Sequence, residues 1–228
     1  MELEILKVKS SELEYNKKFE DIHIHLLKPP FIFVLSGSVR TGKSTLIMNL
    51  IYNKNFYQNK FDKIIFISPT SLNDLTLQHL STDDEILKVA ENLDKLDDIL
   101  KAIVDDKDSD EESRADHYLI ILDDCLGFIK PKSYASFLCS RYRHFKISLI
   151  FTCQNFRILP PIIRTNATAY IIFKTPNKKE YKKYVEEFEG IFEDFEKLYK
   201  EATEKPYNFL YLDLRNVKAY HNFQKLLS

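Results

Sequence analysis

One stretch of the sequence has the residue types and the spacing of a phosphate-binding loop. It reads GSVRTGKST, matches the pattern G-x-x-x-x-G-K-[ST] and contains two of the four glycines in the chain. Glycine lets successive backbone N–H groups turn inward around an anion, and the start of a following helix adds partial positive charge. In this pattern Lys43 neutralises the terminal phosphates of a nucleoside triphosphate, and Ser44 offers a hydroxyl to Mg²⁺. The expected loop residues are Gly37, Ser38, Val39, Arg40, Thr41, Gly42, Lys43, Ser44 and Thr45.

Two adjacent acids follow an apolar run in the segment HYLIILDDCLG. A strand that ends at Leu122 delivers Asp123 and Asp124 to the carboxyl edge of a sheet, where ligands bind in open α/β folds. There Asp123 would hold the metal, directly or through water, and Asp124 would polarise the water that attacks the phosphate. A helix cap or an ordinary loop carboxylate is the alternative. The phosphate loop upstream favours the catalytic interpretation.

A third stretch, SRYRHFKISLIFTCQNF, has polar residues at both ends of an apolar run. Gln154 follows the run, at the edge expected for the phosphate loop, and its amide can reach a terminal phosphate or the attacking water. A simple turn-forming role is the alternative. Arg143 precedes the run, and the strand separates it from Gln154 by a distance on the order of tens of ångströms.

That separation means that Arg143 and Gln154 cannot serve one nucleotide within one subunit. If Arg143 contacts a phosphate, the phosphate belongs to a neighbouring subunit, and the residue acts as an arginine finger in trans. The pattern therefore predicts a ring. The alternative is a surface arginine that pairs with an acidic residue of the C-terminal helical segment.

These side chains require a sheet that brings several strand ends to one edge. Five apolar runs read as strands buried on both faces, as parallel sheets require. They are Phe31 to Ser36, Lys63 to Ser68, Tyr118 to Leu122, Ile147 to Phe151 and Ala169 to Phe173. Helical spacing occurs between and after them in GKSTLIMNLIYNKNF, in DDEILKVAENLDKLDDILKAIV and in one long amphipathic helix, NKKEYKKYVEEFEGIFEDFEKLYKEATEK, which we expect to be relaxed at Gly190. The alternation predicts an α/β fold with a central, mostly parallel sheet flanked by helices.

The two ends of the chain carry other patterns. LEILKVK and DIHIHLL alternate and predict extra N-terminal strands, on which His23 and His25 share a face without a third metal ligand. NFLYLDLRNVKAYHNF predicts a C-terminal β-hairpin that turns at Arg215 and Asn216. The acidic segment from Asp105 to Asp116 reads as a solvated loop.

The absence of an interdomain linker predicts a single P-loop domain over residues 1–228. Its expected parts are an N-terminal strand extension (1–29), a nucleotide-binding core (30–175) and a long helix plus hairpin (176–228).

Composition and charge limit the function. The chain has 33 basic and 34 acidic residues and a net charge of −1, which argues against a basic monomer that coats nucleic acid. Three cysteines lie near apolar runs without metal-type spacing, which predicts buried thiols in a reducing compartment. No apolar stretch has the length of a membrane span, and the start lacks a signal-peptide pattern. We therefore expect an intracellular protein that is not secreted.

At these motifs the chain resembles the genome-packaging ATPases of large DNA viruses and virophages, the viral branch of the FtsK–HerA superfamily. The resemblance rests on GSVRTGKS, LIILDD, RHFKISLIFTCQN and LPPIIRTNAT, and it covers roughly residues 30–215. The first two segments are common to P-loop ATPases, whereas the last two are more specific. The resemblance implies a RecA-like core that uses ATP and Mg²⁺ and works as a homo-oligomeric ring, a pentamer or hexamer.

The same resemblance implies partners and further residue roles. The ring would translocate double-stranded DNA, whatever its sequence, into a preformed capsid at a capsid or portal vertex protein. The expected location is the host-cell cytoplasm, a viral factory or the virion. Gln154 would be the polar sensor, Arg143 the finger in trans, and Arg164 a second candidate that reads the nucleotide state or contacts the adjacent subunit. Many cellular relatives carry glutamate at the position of Asp124.

Two other nucleotide-dependent functions remain open from the sequence. DCLG matches the D-x-x-G of a GTPase switch and NKKE approaches N-K-x-D, but Glu180 stands where the base-reading aspartate is required. A nucleoside or nucleotide kinase would need an arginine-rich lid, and the SRYRH segment enters a strand instead. A structural ring component without hydrolysis is disfavoured by the presence of Lys43 and both acids.

Overall fold

The computed structural model describes residues 17–69, 86–89 and 93–228, which build a nine-stranded sheet in the order β3-β2-β4-β5-β1-β6-β7-β8-β9. Strands β1 to β6 pair in parallel, and β7 to β9 extend the sheet in antiparallel fashion. The strands are β1 (Ile32–Ser36), β2 (Lys63–Ile67), β3 (Ile86–Val89), β4 (Tyr118–Leu122), β5 (Ile147–Cys153), β6 (Ala169–Phe173), β7 (Phe209–Asp213), β8 (Lys218–His221) and β9 (Lys225–Leu226). The predicted mostly parallel sheet is thus confirmed.

The helices lie on both faces of the sheet. They are α1 (Lys43–Tyr52), α2 (Leu96–Lys107), α3 (Glu111–Ala115), α4 (Tyr134–Arg141), α5 (Pro161–Asn166), α6 (Lys178–Phe188) and α7 (Phe195–Ala202). Short 3₁₀ turns occur at Lys17–Phe19, Leu93–Lys95, Leu126–Phe128 and Phe156–Ile158. Helix α1 packs on one face of the sheet, while α2, α4, α6 and α7 pack on the other.

The five predicted strands form where the apolar runs occur, because each run buries side chains on both faces. Along β1, Ile32 and Val34 enter the core beneath α2 and α4, whereas Phe33 and Leu35 enter the core beneath α1. This alternation follows from the two-residue period of a strand. Every residue of β1, β4, β5 and β6 is buried, as expected of strands covered by helices on both sides.

The prediction of one helix over residues 83–104 is wrong in its first half. Residues Ile86–Val89 form β3, which pairs in parallel with β2 at the edge of the sheet, and α2 begins only at Leu96. The apolar residues at 86, 89, 93 and 96 follow a helical spacing, so the local pattern favours a helix. Pairing with the exposed side of β2 overrides that preference, since β propensity depends strongly on neighbouring strands.

The long C-terminal helix is broken into α6 and α7. The break follows Phe188 and includes Gly190, whose helix propensity is about 1 kcal/mol worse than that of alanine. Asp194 then adopts φ 57°, a conformation outside the right-handed helix, and its carbonyl accepts the N–H groups of Lys197 and Leu198 that start α7. The chain therefore turns between the two helices while both keep their apolar faces on one core.

The predicted N-terminal strand DIHIHLL is also wrong, and LEILKVK lies outside the described residues. Ile22 and Leu26 are buried but Ile24 is 88% exposed, so the alternation in sequence does not correspond to one buried face. The backbone turns instead, with Leu26 N–H donating to the carbonyl of His23. His25 stacks on Tyr220 of the hairpin, with ring centroids 4.5 Å apart.

The acidic segment after α2 is more ordered than a solvated loop because Lys107 organises it. The Lys107 side chain is buried, and its Nζ donates to the carbonyl oxygens of Ser113 (2.6 Å) and Asp116 (2.7 Å). The Asp110 carboxylate accepts the Ser113 N–H at the start of α3. The predicted loop therefore contains the end of α2 and a further short helix.

Two other predictions are confirmed. The C-terminal hairpin forms from β7 and β8, with the turn at the expected residues. Cys125, Cys139 and Cys153 are buried free thiols, and burial raises the pKa of each to about 12. The division of the chain at residues 29 and 175 stays a prediction.

Candidate nucleotide-binding site

The carboxyl ends of three adjacent parallel strands bring the predicted catalytic residues together. Strand β1 lies between β5 and β6, and the register places Ser36 opposite Cys153. Strand β4 pairs with the other side of β5, with Leu122 opposite Phe151. The phosphate loop, the two acids and Gln154 therefore leave the sheet at one edge. Their roles in catalysis stay predictions, whereas their convergence is a structural finding.

The phosphate loop connects β1 to the first turn of α1, and both of its glycines are required by geometry. A side chain at Gly37 would begin 2.7 Å from Oγ1 of Thr41 and 2.8 Å from Cβ of Phe173, closer than van der Waals contact allows. Gly42 precedes α1 with φ 104°, which side chains rarely adopt. The loop is tied internally by Thr41 Oγ1, which donates to the Ser38 carbonyl at 2.8 Å.

Lys43 lies inside this loop rather than in solvent. Its Nζ donates to the carbonyl oxygens of Gly37 at 2.7 Å and Ser38 at 2.9 Å. Burial lowers the pKa of Lys43, while the nearby charges of Asp124 and Asp123 act in the opposite direction. A partly desolvated ammonium group interacts more strongly with an added anion than an exposed one does. The position of Lys43 therefore suits a phosphate ligand.

Asp123 is a buried acid at the end of β4, with 6% of its surface exposed. Its Oδ1 accepts the Thr152 hydroxyl at 2.7 Å, and its Oδ2 accepts the Ser68 hydroxyl at 3.2 Å. Burial raises the pKa of Asp123, and the adjacent Asp124 adds to this effect, whereas the two hydroxyls and Lys43 oppose it. The carboxyl is thus held in a fixed orientation at a cost in desolvation.

Thr152 and Ser68 are site residues whose roles the sequence analysis did not assign. The Thr152 hydroxyl donates to Asp123 and also accepts the backbone N–H of Asp124 at 3.0 Å, so one side chain positions both acids. Buried hydroxyl groups require a partner. The threonine in the apolar run ISLIFTC and Ser68 at the end of the run KIIFIS could therefore have indicated that these hydroxyl groups have partners in the site.

Asp124 and Gln154 are joined directly at the surface of the site. Nε2 of Gln154 donates to Oδ2 of Asp124 at 2.7 Å. Asp124 has φ 51°, a left-handed conformation that aspartate tolerates better than most residues and that is often found at functional sites. The predicted sensor and the predicted water-polarising acid thus form one hydrogen-bonded pair.

The residues present fit a magnesium ion bound together with a nucleotide. Among the described residues, no group of three or more His, Cys, Asp or Glu side chains is arranged to hold a metal by itself. Mg²⁺ in phosphate sites takes one or two protein oxygens and completes its shell with phosphate oxygens and water. The Ser44 hydroxyl at the start of α1 and the Asp123 carboxylate at the end of β4 are oxygen donors of that kind.

The raised pKa of Asp123 predicts that Asp123→Asn stabilises the protein. A folded-state pKa above the ordinary 3.8 means that ionisation costs folding free energy once the pH exceeds 3.8. The amide keeps the shape and removes this cost at neutral pH. We expect a rise in Tm of a few degrees, since about 1 kcal/mol corresponds to 2–4 °C for a domain of this size. Thermal unfolding from pH 4 to pH 8 measures it.

The expected rise in Tm of Asp123→Asn is largest near pH 8 and becomes smaller toward pH 4. Asp21→Asn is a suitable control, because the hydrogen bond from Lys60 lowers the pKa of the exposed Asp21 carboxyl and its removal brings no gain. A lower Tm of Asp123→Asn at neutral pH would contradict the prediction.

Arg143 lies at the opposite edge of the sheet, before the first residue of β5. Its side chain is exposed, and its Nε donates to the hydroxyl of the buried Tyr142 at 2.9 Å. Among the described residues it forms no ion pair, so the alternative of a surface salt bridge is not observed there. A cavity of about 740 Å³ at this edge is lined by Arg141, Arg143, His144 and, from across the sheet edge, Arg215.

Arg164, the second candidate, is engaged within its own chain. Its Nη1 lies 3.2 Å from Oε2 of Glu187 on α6, and both side chains are about one-third exposed. Its Nε is buried and has no hydrogen-bond partner in the described part of the chain. The structure therefore does not bring Arg164 to the phosphate loop, and it leaves Arg143 as the less constrained of the two arginines.

The structure lacks the features that a GTPase switch and a kinase would need at Glu180 and at SRYRH. Glu180, where a GTPase needs a base-reading aspartate, is buried and accepts the N–H of Phe156 at 2.8 Å and Nε of Arg157 at 2.7 Å. It is therefore a structural residue. The SRYRH segment ends α4 and enters β5 at the edge remote from the phosphate loop, so it does not form a kinase lid.

The chain is similar in sequence to viral proteins. The model of the Poxvirus A32 protein family matches residues 16–184. Uncharacterized protein 075L of Invertebrate iridescent virus 6 is 28% identical over a 202-residue alignment that covers 79% of this chain and 69% of that protein. None of the described helices has both the length and the apolar character needed to cross a membrane.

Two solved structures share the fold. The genome packaging NTPase B204 of Sulfolobus turreted icosahedral virus 2, in complex with AMP, gives a TM-score of 0.62 at 19% identity, covering 85% of this chain and 97% of B204. The pCW3 conjugation coupling protein TcpA, with ATPγS, gives 0.54 at 14% identity, covering 80% of this chain and 57% of TcpA. At these identities the likeness establishes the RecA-like P-loop fold.

Proposed function

Because the chain belongs to the Poxvirus A32 protein family, we propose that it is an ATPase that packages a viral double-stranded DNA genome. The observation that carries the proposal is the convergence of Lys43, Asp123, Asp124 and Gln154 at one sheet edge, with Arg143 at the other. A similar fold in a protein described as a genome packaging NTPase supports it. In this proposal the protein works as a ring, a pentamer or hexamer, and hydrolysis moves DNA into a preformed capsid.

The phosphate loop binds the triphosphate of ATP. The backbone N–H groups of residues 37–45 and the start of α1 surround the phosphates, and Lys43 neutralises charge on the terminal ones. Its two bonds to loop carbonyls hold the ammonium group at the centre of the loop. Ser44 and Asp123 would hold Mg²⁺, and the ion would supply positive charge that offsets the charge developing on the phosphates.

Asp124 and Gln154 prepare the attack on the terminal phosphate. Asp124 accepts a hydrogen bond from the attacking water and orients it. Gln154 donates to the Asp124 carboxylate at 2.7 Å, so a change at this carboxylate when a nucleotide binds would reach the Gln154 amide. The Thr152 hydroxyl keeps the two acids in place during this step.

In the ring, Arg143 supplies a positive charge to the nucleotide of the neighbouring subunit. Strand β5 has seven residues, so Arg143 and Gln154 are separated by roughly 20 Å. An exposed arginine at that distance serves the nucleotide of a neighbour, whose phosphate loop faces the edge that carries Arg143. The cavity of about 740 Å³ beside Arg143 leaves room for part of the adjacent subunit.

The proposed DNA partner is compatible with the near-neutral charge of the chain. Exposed lysines at positions 174, 178, 179 and 182 form no ion pairs with other described residues, and they lie at the edge of the sheet that carries the phosphate loop. A ring gathers such lysines from every subunit around one channel. Contacts with the phosphate backbone are independent of sequence and weaken steeply with salt. A capsid or portal vertex protein would anchor the ring.

In this proposal the protein acts inside the infected host cell, in the cytoplasm or a viral factory. Association with the virion follows from contact with the capsid. Buried thiols with raised pKa values suit such a reducing compartment.

Phosphate release measured against protein concentration, with and without double-stranded DNA, tests the proposal. We expect specific activity to rise cooperatively as the ring assembles, to increase several-fold with DNA of any sequence, and to show preference for ATP over GTP. Activity that is independent of concentration and DNA would contradict the ring translocase. Strict dependence on a nucleoside acceptor would identify a kinase instead.

A further inference from the structure

A second cavity, of about 410 Å³, lies directly beside the phosphate loop. Arg40 and Thr41 of the loop form one side of it. The segment after β6, including Pro176, and the segment before β7, including Glu204 and Tyr207, form the rest. Its volume is within the range of small-molecule sites. A ligand whose phosphates lie in the loop would extend into this cavity.

Tyr207 is the exceptional residue of this cavity. It is 73% exposed, and its backbone has φ 66°, in the left-handed region that a bulky residue rarely adopts. Its ring reaches the start of α1, because a side chain at Gly42 would begin 3.5 Å from its Cδ1. A strained conformation that holds an aromatic ring at the surface beside a phosphate site indicates a function for the ring.

The local fold does not depend on the Tyr207 ring. The next residue, Asn208, secures this turn: its N–H donates to the Lys205 carbonyl, and its Nδ2 lies 2.8 Å from Nε2 of His221. Asn222 also fastens the start of β7 by accepting the N–H of Phe209 at 3.1 Å. Among the described residues no other ring stacks on Tyr207. Its aromatic face is therefore available to a ligand.

We infer that Tyr207 is the platform on which the base of the bound nucleotide stacks, and that this cavity holds the base and ribose. The inference rests on the proposed nucleotide-binding function and specifies how that site takes its ligand. Stacking uses the flat face that every base offers, so Tyr207 contributes affinity without selecting between bases. Discrimination of ATP from GTP then depends on other groups of the cavity.

Calorimetric titration of the full chain with magnesium ATPγS, GTPγS and tripolyphosphate tests the inference. Tyr207→Gly removes the ring and the backbone strain, so we expect an unchanged or higher Tm together with about tenfold weaker binding of both nucleotides. Tripolyphosphate, which has no base, should bind the variant and the wild type equally. Tyr207→Phe keeps the aromatic face and should retain wild-type affinity for all three ligands.

Val217→Gly is the matched control. Val217 is also exposed and has φ 50°, but it lies in the β7–β8 turn, away from the loop. The control should relieve strain and leave nucleotide affinity unchanged. Unaltered ATPγS affinity of Tyr207→Gly, or an equal loss of affinity for tripolyphosphate, would overturn this inference but not the proposed function. Failure of the wild type to bind any of the three ligands would overturn the proposed function and this inference with it.

Discussion

Arg143→Ala is expected to lower ATP turnover by the assembled protein by about 10³- to 10⁵-fold, the contribution of an arginine finger in related phosphoryl transfers. The variant should bind ATP normally, because Arg143 lies at the opposite end of β5 from its own phosphate loop. Phosphate release at protein concentrations that give full assembly measures the turnover, and titration with ATPγS measures the binding.

Mixing two inactive variants distinguishes action in trans from action in cis. Lys43→Ala chains lack the lysine of the phosphate loop but retain Arg143, whereas Arg143→Ala chains retain an intact loop. Mixed rings contain interfaces that combine an intact loop with an intact arginine, so part of the activity should return. A mixture as inactive as its components would contradict the trans arrangement.

Arg141→Ala is the closest matched control. Arg141 is also exposed and lines the same cavity, but its guanidinium lies over the ring of Phe137, 4.9 Å from the centroid. Arg141→Ala should retain most of the ATP turnover. Arg143→Lys should lose it, because lysine lacks the planar guanidinium group that binds two phosphate oxygens. Loss of turnover in Arg141→Ala with normal turnover in Arg143→Ala would reassign the finger.

Asp124→Asn is expected to lower kcat by about 10²- to 10⁴-fold, the usual contribution of a positioned general base. An amide cannot attract the proton of the attacking water, although it can still contact Gln154. Nucleotide affinity and Tm should stay within experimental error, because Asp124 is only half-buried and does not contact the nucleotide in this proposal. Single-turnover hydrolysis separates this chemical step from ATP binding.

Asp124→Glu and Gln154→Ala serve as comparisons for this variant. The glutamate keeps a carboxylate at this position, so activity should recover by at least tenfold relative to the asparagine variant. Gln154→Ala removes the hydrogen bond at 2.7 Å and should lower kcat less than Asp124→Asn does. A kcat of Asp124→Asn close to the wild-type value would show that another group activates the water.

The parallel sheet and the convergence of the site were predictable because both depend on local sequence. An apolar run that buries both faces has few alternatives to a central strand, and its carboxyl end fixes where the next polar residue lies. The phosphate loop, Asp123, Asp124 and Gln154 each follow such a run. The fold of this region therefore needed no information about contacts distant in sequence.

Features that depend on tertiary contacts were not predictable. Strand β3 has the spacing of a helix and becomes a strand only because β2 offers a free edge. The Thr152 hydroxyl acquires its role from the two acids that the neighbouring strand brings beside it. Tyr207 lies in a turn 164 residues after Lys43, so nothing near the phosphate loop in the sequence indicates its presence there.

Strand β5 also has a mechanical consequence for the proposed ring. It is hydrogen-bonded to β4 on one side and to β1 on the other, and all seven of its residues are buried. A strand in such a position cannot slide without breaking two ladders, and close-packed interiors are hardly compressible. In the proposed ring, β5 would therefore keep Gln154 and Arg143 at a fixed separation within each subunit. We therefore expect nucleotide-driven motion in that ring to occur between subunits rather than along β5.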